Sequence, residues 1–359
     1  MAVLGAGSWG TALATVLARN GHDVRLWSRR PDQAQRINDT GENADYLPDV
    51  TLPRGITATA DLGQALDGAE AVLMVTPSAT LRPMCQAIAP VLPEGIPIAL
   101  ACKGVERRTG YLLSEVVAEE LPGHVVGAVN GPTFARETAL DHPTAATVAF
   151  PFSYSDRLNP ETSPAARLAL SLSGGGFRAY VSDDLVGVEV GGAVKNVIAI
   201  ACGMMSGAGF AENTRAALIT RGIDEMKQLA QALGGRRETV TGLSGAGDLT
   251  LTCSSTTSRN MSLGYQLGQG IPRPSCFEGR PVVVEGEVNA VSVTDLAKRI
   301  NVPMPICETV QAILHEGADL QEAFTALWAR PIEAEPQTMQ MSLEHPSPDL
   351  PLQFGASDQ

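Results

Sequence analysis

Four separated segments of the chain place polar side chains among small or apolar residues, as expected where a small molecule is held and converted. They are Ala101-Cys102-Lys103-Gly104, residues 130–135, residues 191–196, and residues 245–249 followed by Ser258-Arg259-Asn260. Lysine and aspartate side chains can exchange protons, whereas arginine, serine and asparagine can donate hydrogen bonds to an anion. These segments therefore predict acid–base chemistry on an anionic substrate.

Lys195 is the leading candidate for a proton donor and acceptor. On a helix it shares a face with Ile198 and Cys202, and Gly191-Gly192 one turn earlier would leave room beside its ammonium group. Burial disfavours the charged form of lysine, so such a residue can act as an acid or a base. The alternative is a lysine that extends from a partly exposed helix into water.

Three further groups can complete such a site. Lys103 follows a predicted strand, at the edge where α/β sheets bind ligands. Asp248 can orient Lys195 through a charge-assisted hydrogen bond, although a glycine-flanked Asp is also typical of a turn. Ser258-Arg259-Asn260 can cradle an anion, or it can serve as an ordinary helix N-cap.

The first residues carry a dinucleotide-binding pattern. Gly5-Ala6-Gly7-Ser8-Trp9-Gly10 fits G-x-G-x-x-G, with an apolar run before it and a helical segment at 11–19 after it. Gly5 would permit the tight turn, Gly7 would let the backbone approach a pyrophosphate, and Gly10 would let helix and strand pack closely. The pattern predicts a nicotinamide dinucleotide site, the alternative being a glycine-rich turn without a ligand.

The end of the second predicted strand bears on the choice of cofactor. NAD sites usually place an acid there, but this chain has Ser28-Arg29-Arg30 and no acid before Asp32. Two guanidinium groups favour a 2′-phosphate, so we expect NADP(H) to be preferred and NAD(H) to be accepted. The alternative is a pair of solvated surface arginines.

The spacing of apolar residues predicts two domains. Up to about residue 151, apolar runs at 2–4, 24–27, 71–75, 98–101 and 125–129 alternate with helical segments, which is typical of a parallel sheet covered by helices. Residues 150–164 are rich in turn formers and are predicted to form a surface loop or insertion. From Asp183 the pattern becomes helical, with a long helix to Gly203 and others at 214–233, 288–300, 306–315 and 320–329.

The predicted fold class is accordingly an α/β Rossmann-type domain followed by an all-α domain, similar to that of 6-phosphogluconate dehydrogenases. We expect an NAD(P)-binding domain at 1–182, a helical substrate and catalytic domain at 183–330, and a loose tail at 331–359.

Composition argues against several classes of protein. The net charge of −13 disfavours nucleic acids and anionic membranes as partners. The chain has no run of eighteen apolar residues and begins without a basic, cleavable leader, so we expect no membrane span and a cytoplasmic location. The six cysteines lack CxxC spacing or histidine partners, so we expect reduced thiols and no metal site.

Taken in order, these motifs resemble the bacterial NAD(P)-dependent sn-glycerol-3-phosphate dehydrogenases. The matching motifs run from Val3 to about Ala329 and are G-A-G-S-W-G-T-A, K-G, G-P-T-F-A, G-G-A-V-K-N-V-I-A-I, G-A-G-D-L, T-C, S-R-N and V-V-E-G. The resemblance implies reversible hydride transfer between the nicotinamide and C2 of dihydroxyacetone phosphate, which yields sn-glycerol 3-phosphate for phospholipid synthesis. It also implies a cytoplasmic homodimer.

The resemblance assigns roles to individual residues. Lys195 matches the catalytic proton acceptor, in contact with the substrate, and Lys103 and Asp248 are counted with it as catalytic. Cofactor contacts are implied for the three motif glycines and for Ser8, Trp9, Arg29, Arg30, Lys103, Ala135, Arg259, Val283 and Glu285. Substrate contacts are implied for Lys103, Gly131, Thr133, Asp248, Ser258, Arg259 and Asn260.

Two other classes of protein share some of these features. A hydroxyacyl-CoA or phosphogluconate dehydrogenase would have the same architecture, but the former uses a His–Glu pair. None of the five histidines, at 22, 124, 142, 315 and 345, lies in a catalytic-looking segment. A non-catalytic, cofactor-sensing protein would have no need for Lys103, Lys195 and Asp248 together.

Overall fold

The computed structural model describes residues 1–335, 339 and 341–354, and its central element is an eight-stranded sheet. The strand order is β3-β2-β1-β4-β5-β6-β7-β8, and every neighbouring pair is parallel except β6 and β7. The strands are β1 (Ala2–Leu4), β2 (Val24–Trp27), β3 (Ile56–Thr59), β4 (Val72–Met74), β5 (Ile98–Leu100), β6 (Val126–Asn130), β7 (Thr144–Ala149) and β8 (Phe177–Ser182).

This topology confirms the predicted Rossmann-type architecture. The order of strands reverses between β1 and β4, and the carboxyl ends of strands at such a point form the usual ligand crevice. Eight helices accompany the sheet: α1 (Ser8–Arg19), α2 (Pro31–Thr40), α3 (Leu62–Leu66), α4 (Leu81–Ile88), α5 (Leu113–Glu120), α6 (Ala135–Ala139), α7 (Tyr154–Leu158) and α8 (Pro164–Leu172).

The sheet is covered on both faces, which explains its short, continuous apolar strands. Val3 packs in one apolar core with Leu13 and Leu26, whereas its neighbour Leu4 packs in a second core with Met74. Successive side chains of a strand point to opposite faces, so a strand buried on both sides must be apolar throughout.

The remaining part of the chain is mostly helical, in agreement with the predicted change of period. Its helices are α9 (Leu185–Gly207), α10 (Glu212–Ala232), α11 (Arg237–Val240), α12 (Asp248–Cys253), α13 (Arg259–Gly268), α14 (Glu285–Arg299), α15 (Pro305–His315) and α16 (Leu320–Trp328). Asp184 caps α9, because its Oδ1 accepts a hydrogen bond of 2.9 Å from the N–H of Gly187.

The chain forms two compact units, and the divisions between them fall within α9, α10 and α12. The first unit contains Met1–Ala193 and Met226–Thr250, and the second contains Val194–Glu225 and the described residues from Leu251 onward. By length and composition α9 could cross a membrane, but 89% of its most apolar window is buried within the protein. It is therefore described as a core helix.

Two segments differ from the sequence-based expectation. Residues 150–164 are not entirely a loop: Phe150 is fully buried, α7 forms one turn, and buried Ser163 caps α8 by accepting a hydrogen bond from the N–H of Ala166. Turn-forming residues suggest a loop, but serine and proline are equally common at helix starts.

The predicted loose tail contains a short hairpin of β9 (Ile332–Glu333) and β10 (Ser342–Leu343). The carboxylate of Glu333 accepts a hydrogen bond of 2.9 Å from Arg221, and the ring of Phe354 lies 5.1 Å from that of Phe210. Strands of two residues carry no detectable alternation, so the sequence did not predict this hairpin, which lies beyond the predicted helical domain at 183–330. Residues 336–338, 340 and 355–359 of the predicted tail lie outside the described residues.

The cysteines are mostly core residues. Five are buried and Cys102 is partly exposed. Burial raises the pKa of the Cys85 thiol to about 12, and it also raises the pKa of Cys276 and Cys307. These thiols are accordingly protonated at neutral pH.

Candidate active site

The glycine-rich loop after β1 has the geometry that a pyrophosphate requires. Gly5 has a φ of +127°, and a Cβ on Gly10 would lie 1.8 Å from the carbonyl oxygen of Gly5. A Cβ on Gly7 would meet nothing within 4 Å, so open space lies above this residue. Gly7 also begins α1 without a side-chain cap, which leaves the first N–H groups of the helix available to a phosphate.

A buried polar network, which was not predicted from the sequence, supports this loop. The carbonyl oxygen of Ala6 accepts hydrogen bonds from Gln33 (2.7 Å) and Asn43 (3.0 Å). Asn43 also donates to the hydroxyl of Thr11 at 2.7 Å, and Ser28 donates to Gln33 at 2.8 Å. The network joins residues from β2 to the loop after α2, so no local sequence pattern reveals it.

Three of the implied cofactor residues lie around the same loop. Ser8 donates a hydrogen bond of 2.7 Å to the carbonyl oxygen of Tyr46. Trp9 and Ala135 both pack against a small apolar cluster that contains Leu47. The structure therefore brings Ser8, Trp9 and Ala135 to one side of the first unit.

The two arginines at the end of β2 have different surroundings. Arg29 is exposed, whereas Arg30 forms an ion pair with Asp45. Asp45 also accepts a hydrogen bond of 2.7 Å from Arg36, and the Arg30 guanidinium beside it holds the pKa of Asp45 below its usual range. Asp45 lies fifteen residues beyond Arg30 in the chain and was not among the residues predicted to be functional.

Lys103 and Asp248 form a close ion pair within the first unit. The Nζ of Lys103 donates to Oδ2 of Asp248 at 2.6 Å, and the aspartate side chain is 2% exposed. Asp248 begins α12 directly after a π-helical turn at Leu243–Gly247, and its partner Lys103 follows the end of β5. The predicted role of Asp248 in orienting Lys195 stays a prediction.

The neighbouring pocket is shaped by a glycine. A Cβ on Gly192 would lie 2.6 Å from Nδ2 of Asn130 and 3.3 Å from the Lys103 side chain. A side chain at position 192 would therefore collide with Asn130 and crowd Lys103, so this packing requires glycine. Asn130 donates to the carbonyl oxygen of Val188 at 3.0 Å, while its buried Oδ1 has no hydrogen-bond partner among the described residues.

Gly131 and Thr133 follow β6 in a tight turn. A Cβ on Gly131 would lie 2.8 Å from Cα of Ala146, and the hydroxyl of Thr133 donates to the carbonyl oxygen of Gly131 at 3.3 Å. Glycine is therefore required at position 131, because a side chain there would collide with Ala146.

Lys195 is buried, with 7% of its surface exposed, so the extended, solvated alternative is wrong. Its Nζ donates a hydrogen bond of 2.9 Å to Oγ1 of Thr252 on α12. Thr252 belongs to the T-C motif but was given no role from the sequence. A hydroxyl that accepts from a buried ammonium group fixes the direction in which the amine points.

The three residues of the Ser258-Arg259-Asn260 segment have different roles. Ser258 caps α13 by accepting a hydrogen bond from the N–H of Met261, as the alternative interpretation proposed. Buried Asn260 donates to Asn196 at 2.8 Å and accepts from the N–H of Gly286 at 2.9 Å. Arg259, which is exposed, is the member of the segment that is accessible to a ligand.

Arg259 lies beside two other residues with implied cofactor contacts. Its Nη1 donates to the carbonyl oxygen of Val283 at 2.9 Å, and the Val283 side chain is exposed. Glu285 begins α14, two residues later, and its Oε2 accepts from Asn196 at 3.5 Å. The second unit therefore groups these three residues near Asn260.

Two buried glutamates outside the predicted set cap helices. Glu189 accepts hydrogen bonds from the N–H and hydroxyl of Ser114 in α5, and Glu225 accepts from the N–H of Ile306 at 2.6 Å in α15. Burial raises the pKa of each carboxyl to about 7. A glutamate in an apolar stretch is the only sequence signal for such a role.

The histidines and acids do not form a metal-binding cluster within the described part of the chain. Nδ1 of His124 lies 2.9 Å from the carbonyl oxygen of Ile96, and Nε2 of His315 lies 2.7 Å from that of Glu287. Each of these histidines therefore uses one ring nitrogen in a hydrogen bond to the backbone.

Comparison with known proteins identifies the family. Residues 1–154 match the N-terminal domain described as NAD-dependent glycerol-3-phosphate dehydrogenase, and residues 184–325 match its C-terminal domain. The chain is 46% identical to glycerol-3-phosphate dehydrogenase [NAD(P)+] of Rhodospirillum rubrum over 335 residues, which cover 93% of each protein. It is 44% identical to the enzyme of the same name from Maricaulis maris, with 93% of this chain and 97% of that protein covered.

A solved structure agrees with these matches. The crystal structure of glycerol-3-phosphate dehydrogenase from Coxiella burnetii superposes with a TM-score of 0.84 at 40% identity, covering 91% of this chain and 98% of that one. These matches favour neither a hydroxyacyl-CoA dehydrogenase nor a cofactor-sensing protein. The chain belongs to the NAD-dependent glycerol-3-phosphate dehydrogenase family.

Proposed function

We propose that this chain catalyses the reversible NAD(P)H-dependent reduction of dihydroxyacetone phosphate to sn-glycerol 3-phosphate, for use in phospholipid synthesis. The observation that carries the proposal is a buried lysine, Lys195, held by Thr252 in a chain of this family. The bound nicotinamide supplies the hydride.

Lys195 is proposed to exchange the proton at the C2 oxygen. Reduction of a ketone leaves charge on this oxygen, and a positioned amine can donate a proton to it. Thr252 accepts from Nζ of Lys195 and thereby directs the donor, since the alkyl chain of lysine alone has several rotamers.

Lys103 is proposed to stabilise the developing negative charge on the substrate. A preorganised cation contributes more when it does not reorient during the reaction, and Asp248 holds the Lys103 ammonium group at 2.6 Å. Asp248 is accordingly proposed as the residue that positions this cation.

The substrate's phosphate is proposed to bind chiefly to Arg259, since an exposed guanidinium can meet a phosphate with two parallel hydrogen bonds. Gly131, Thr133, Ser258 and Asn260 remain proposed substrate contacts. Ser258 and Asn260 already make the structural hydrogen bonds described above.

NADP(H) is proposed as the preferred cofactor and NAD(H) as an accepted one. The end of β2 supplies Arg29 and Arg30 and no acid of its own. The proposed cofactor contacts are the loop glycines with Ser8, Trp9 and Ala135, and also Lys103, Arg259, Val283 and Glu285. We retain residues 1–182 as the proposed cofactor domain, 183–330 as the proposed substrate and catalytic domain, and 331–359 as a tail.

The protein is proposed to be a cytoplasmic homodimer, as the family resemblance implies. Gel filtration with light scattering tests the assembly, because a dimer has twice the 37.6 kDa mass of one chain. A mass of one chain at all concentrations would contradict it.

The activity is tested by following NADPH absorbance with dihydroxyacetone phosphate and with dihydroxyacetone, which lacks the phosphate. We expect oxidation of NADPH with the former and little with the latter. Equal rates with both compounds, or none with either, would contradict the proposed substrate.

A further inference from the structure

Asp45 lies between two guanidinium groups at the end of β2. It forms an ion pair with Arg30 and accepts a hydrogen bond of 2.7 Å from Arg36. Arg36 is also paired with Asp32 at 2.9 Å, whereas Arg30 makes no other ion pair among the described residues. Arg30 therefore depends on Asp45 more than Arg36 does.

The position of Asp45 is fixed by its neighbours rather than by its own exposed side chain. Asn43, two residues earlier, is buried and bonded to the carbonyl oxygen of Ala6 in the glycine-rich loop. Tyr46, the next residue, accepts a hydrogen bond from Ser8 at the start of α1. The segment is thus tied on both sides of Asp45 to the proposed dinucleotide site.

The negative charge of Asp45 would weaken the binding of NADP(H) and strengthen the binding of NAD(H). A carboxylate that pairs with Arg30 competes with a 2′-phosphate for the same guanidinium and repels that dianion. By contrast, a carboxylate near the end of β2 is the group that NAD sites use to accept a hydrogen bond from the ribose 2′-hydroxyl. Strand β2 itself lacks such an acid, and Asp45 supplies one from a different segment.

We propose that Asp45 is a specificity-determining residue that limits the preference for NADP(H) by occupying Arg30 and Arg36. The proposal rests on the proposed function, in which Arg30 lies at the 2′-phosphate. It explains how one site can accept both cofactors although two arginines, Arg29 and Arg30, follow strand β2.

The test measures dissociation constants of NADPH and NADH by fluorescence titration, for the wild type and for Asp45→Asn. This variant keeps the size of the side chain and removes its charge. We expect the ratio Kd(NADH)/Kd(NADPH) to rise about tenfold, the effect of one nearby charge on a dianion at the protein surface. The fragments 2′,5′-ADP and 5′-AMP provide a second readout that needs no nicotinamide and no catalysis.

Asp32→Asn is the matched control, because it removes the same charge from an exposed carboxylate whose ion pair among the described residues is with Arg36. We expect it to change the ratio by less than about threefold, since exposed, more distant charges are screened by salt. An unchanged or lowered ratio in Asp45→Asn, or an equal rise in both variants, would overturn the proposal. If the wild type bound neither NADPH nor NADH, the proposed function itself would fail.

Discussion

Lys195 is the residue on which the proposed chemistry depends most directly. It is buried, and the hydroxyl of Thr252 accepts a hydrogen bond from its amine. We expect Lys195→Ala to lower kcat by at least about 100-fold, because general acid–base catalysis contributes that much or more. The Kd for NADPH should change little, and both quantities can be measured on the same preparation.

Lys298→Ala is a suitable control, since Lys298 is an exposed lysine on α14. Its kcat should equal that of the wild type. Close to full turnover in Lys195→Ala would exclude this lysine as the proton donor. Loss of activity together with a large drop in thermal stability would point instead to a structural role.

Arg259 is the exposed residue proposed to hold the phosphate. Arg259→Lys keeps the positive charge but loses the planar pair of donors, so KM for dihydroxyacetone phosphate should rise about tenfold. Steady-state kinetics at saturating NADPH provide the measurement. A KM equal to that of the wild type would leave Arg259 with its hydrogen bond to Val283 as its main role.

Residue types near the site could be recognised from the sequence, but most of their partners could not. Lys103, Lys195 and Asp248 stand out because charged side chains are rare among glycine and alanine. Thr252 and Asn43 do not stand out, since their roles depend on residues far away in the chain. Tertiary contacts of this kind leave no local pattern.

At the scale of elements, two glycines of the glycine-rich loop are needed for different reasons. Gly10 is required for packing, whereas Gly7 is required for the proposed binding of a pyrophosphate. Ala at position 10 would place its Cβ 1.8 Å from a backbone oxygen, whereas Ala at position 7 would meet no atom within 4 Å. Gly7 also has a φ of −79°, which other residues adopt freely. The two substitutions are therefore expected to fail differently.

We expect Gly7→Ala to retain the wild-type melting temperature but to bind NADPH at least about tenfold more weakly, because its methyl group would enter the space where backbone approaches a pyrophosphate. Gly10→Ala should lower both stability and binding. Thermal unfolding and fluorescence titration distinguish these outcomes. Unchanged NADPH affinity in Gly7→Ala would place the pyrophosphate elsewhere.

Helices and strands were predicted correctly where the apolar residues recur with a clear period. The five predicted strands and the main helices are present, with their ends shifted by a few residues. β3, β7 and β8 were not predicted, because β3 and β7 consist mostly of alanine and threonine with one larger apolar residue each, and β8 is half-exposed. Their strand conformation depends on pairing with neighbours, which a single sequence does not display.

At the scale of the whole molecule, the buried glutamates make stability depend on pH. Folding raises the pKa of Glu225 from 4.5 to about 7, so the folded state binds this proton more tightly. Its contribution to stability is full below pH 4.5 and is lost as the pH rises toward 7. A pKa difference of this size between the unfolded and folded states changes the free energy of unfolding by about 3 kcal/mol.

We expect Glu225→Gln to reduce the dependence of unfolding free energy on pH between about 5 and 8 by about half, because the amide does not titrate whereas Glu189 still does. Urea denaturation at several pH values gives the free energies. Glu238→Gln, at an exposed position, should leave the slope as in the wild type. A wild-type slope in Glu225→Gln would mean that Glu225 stays ionised in the folded protein.

The buried thiols also provide a way to detect transient opening of the folded protein. Alkylating reagents attack the thiolate of an accessible cysteine, and five of the six cysteines are buried and shielded from solvent. Under native conditions a maleimide should therefore modify Cys102 first, and further labelling requires a molecule to open. Counting the labelled cysteines by mass over time would measure how often the native protein opens, without any denaturant or engineered probe.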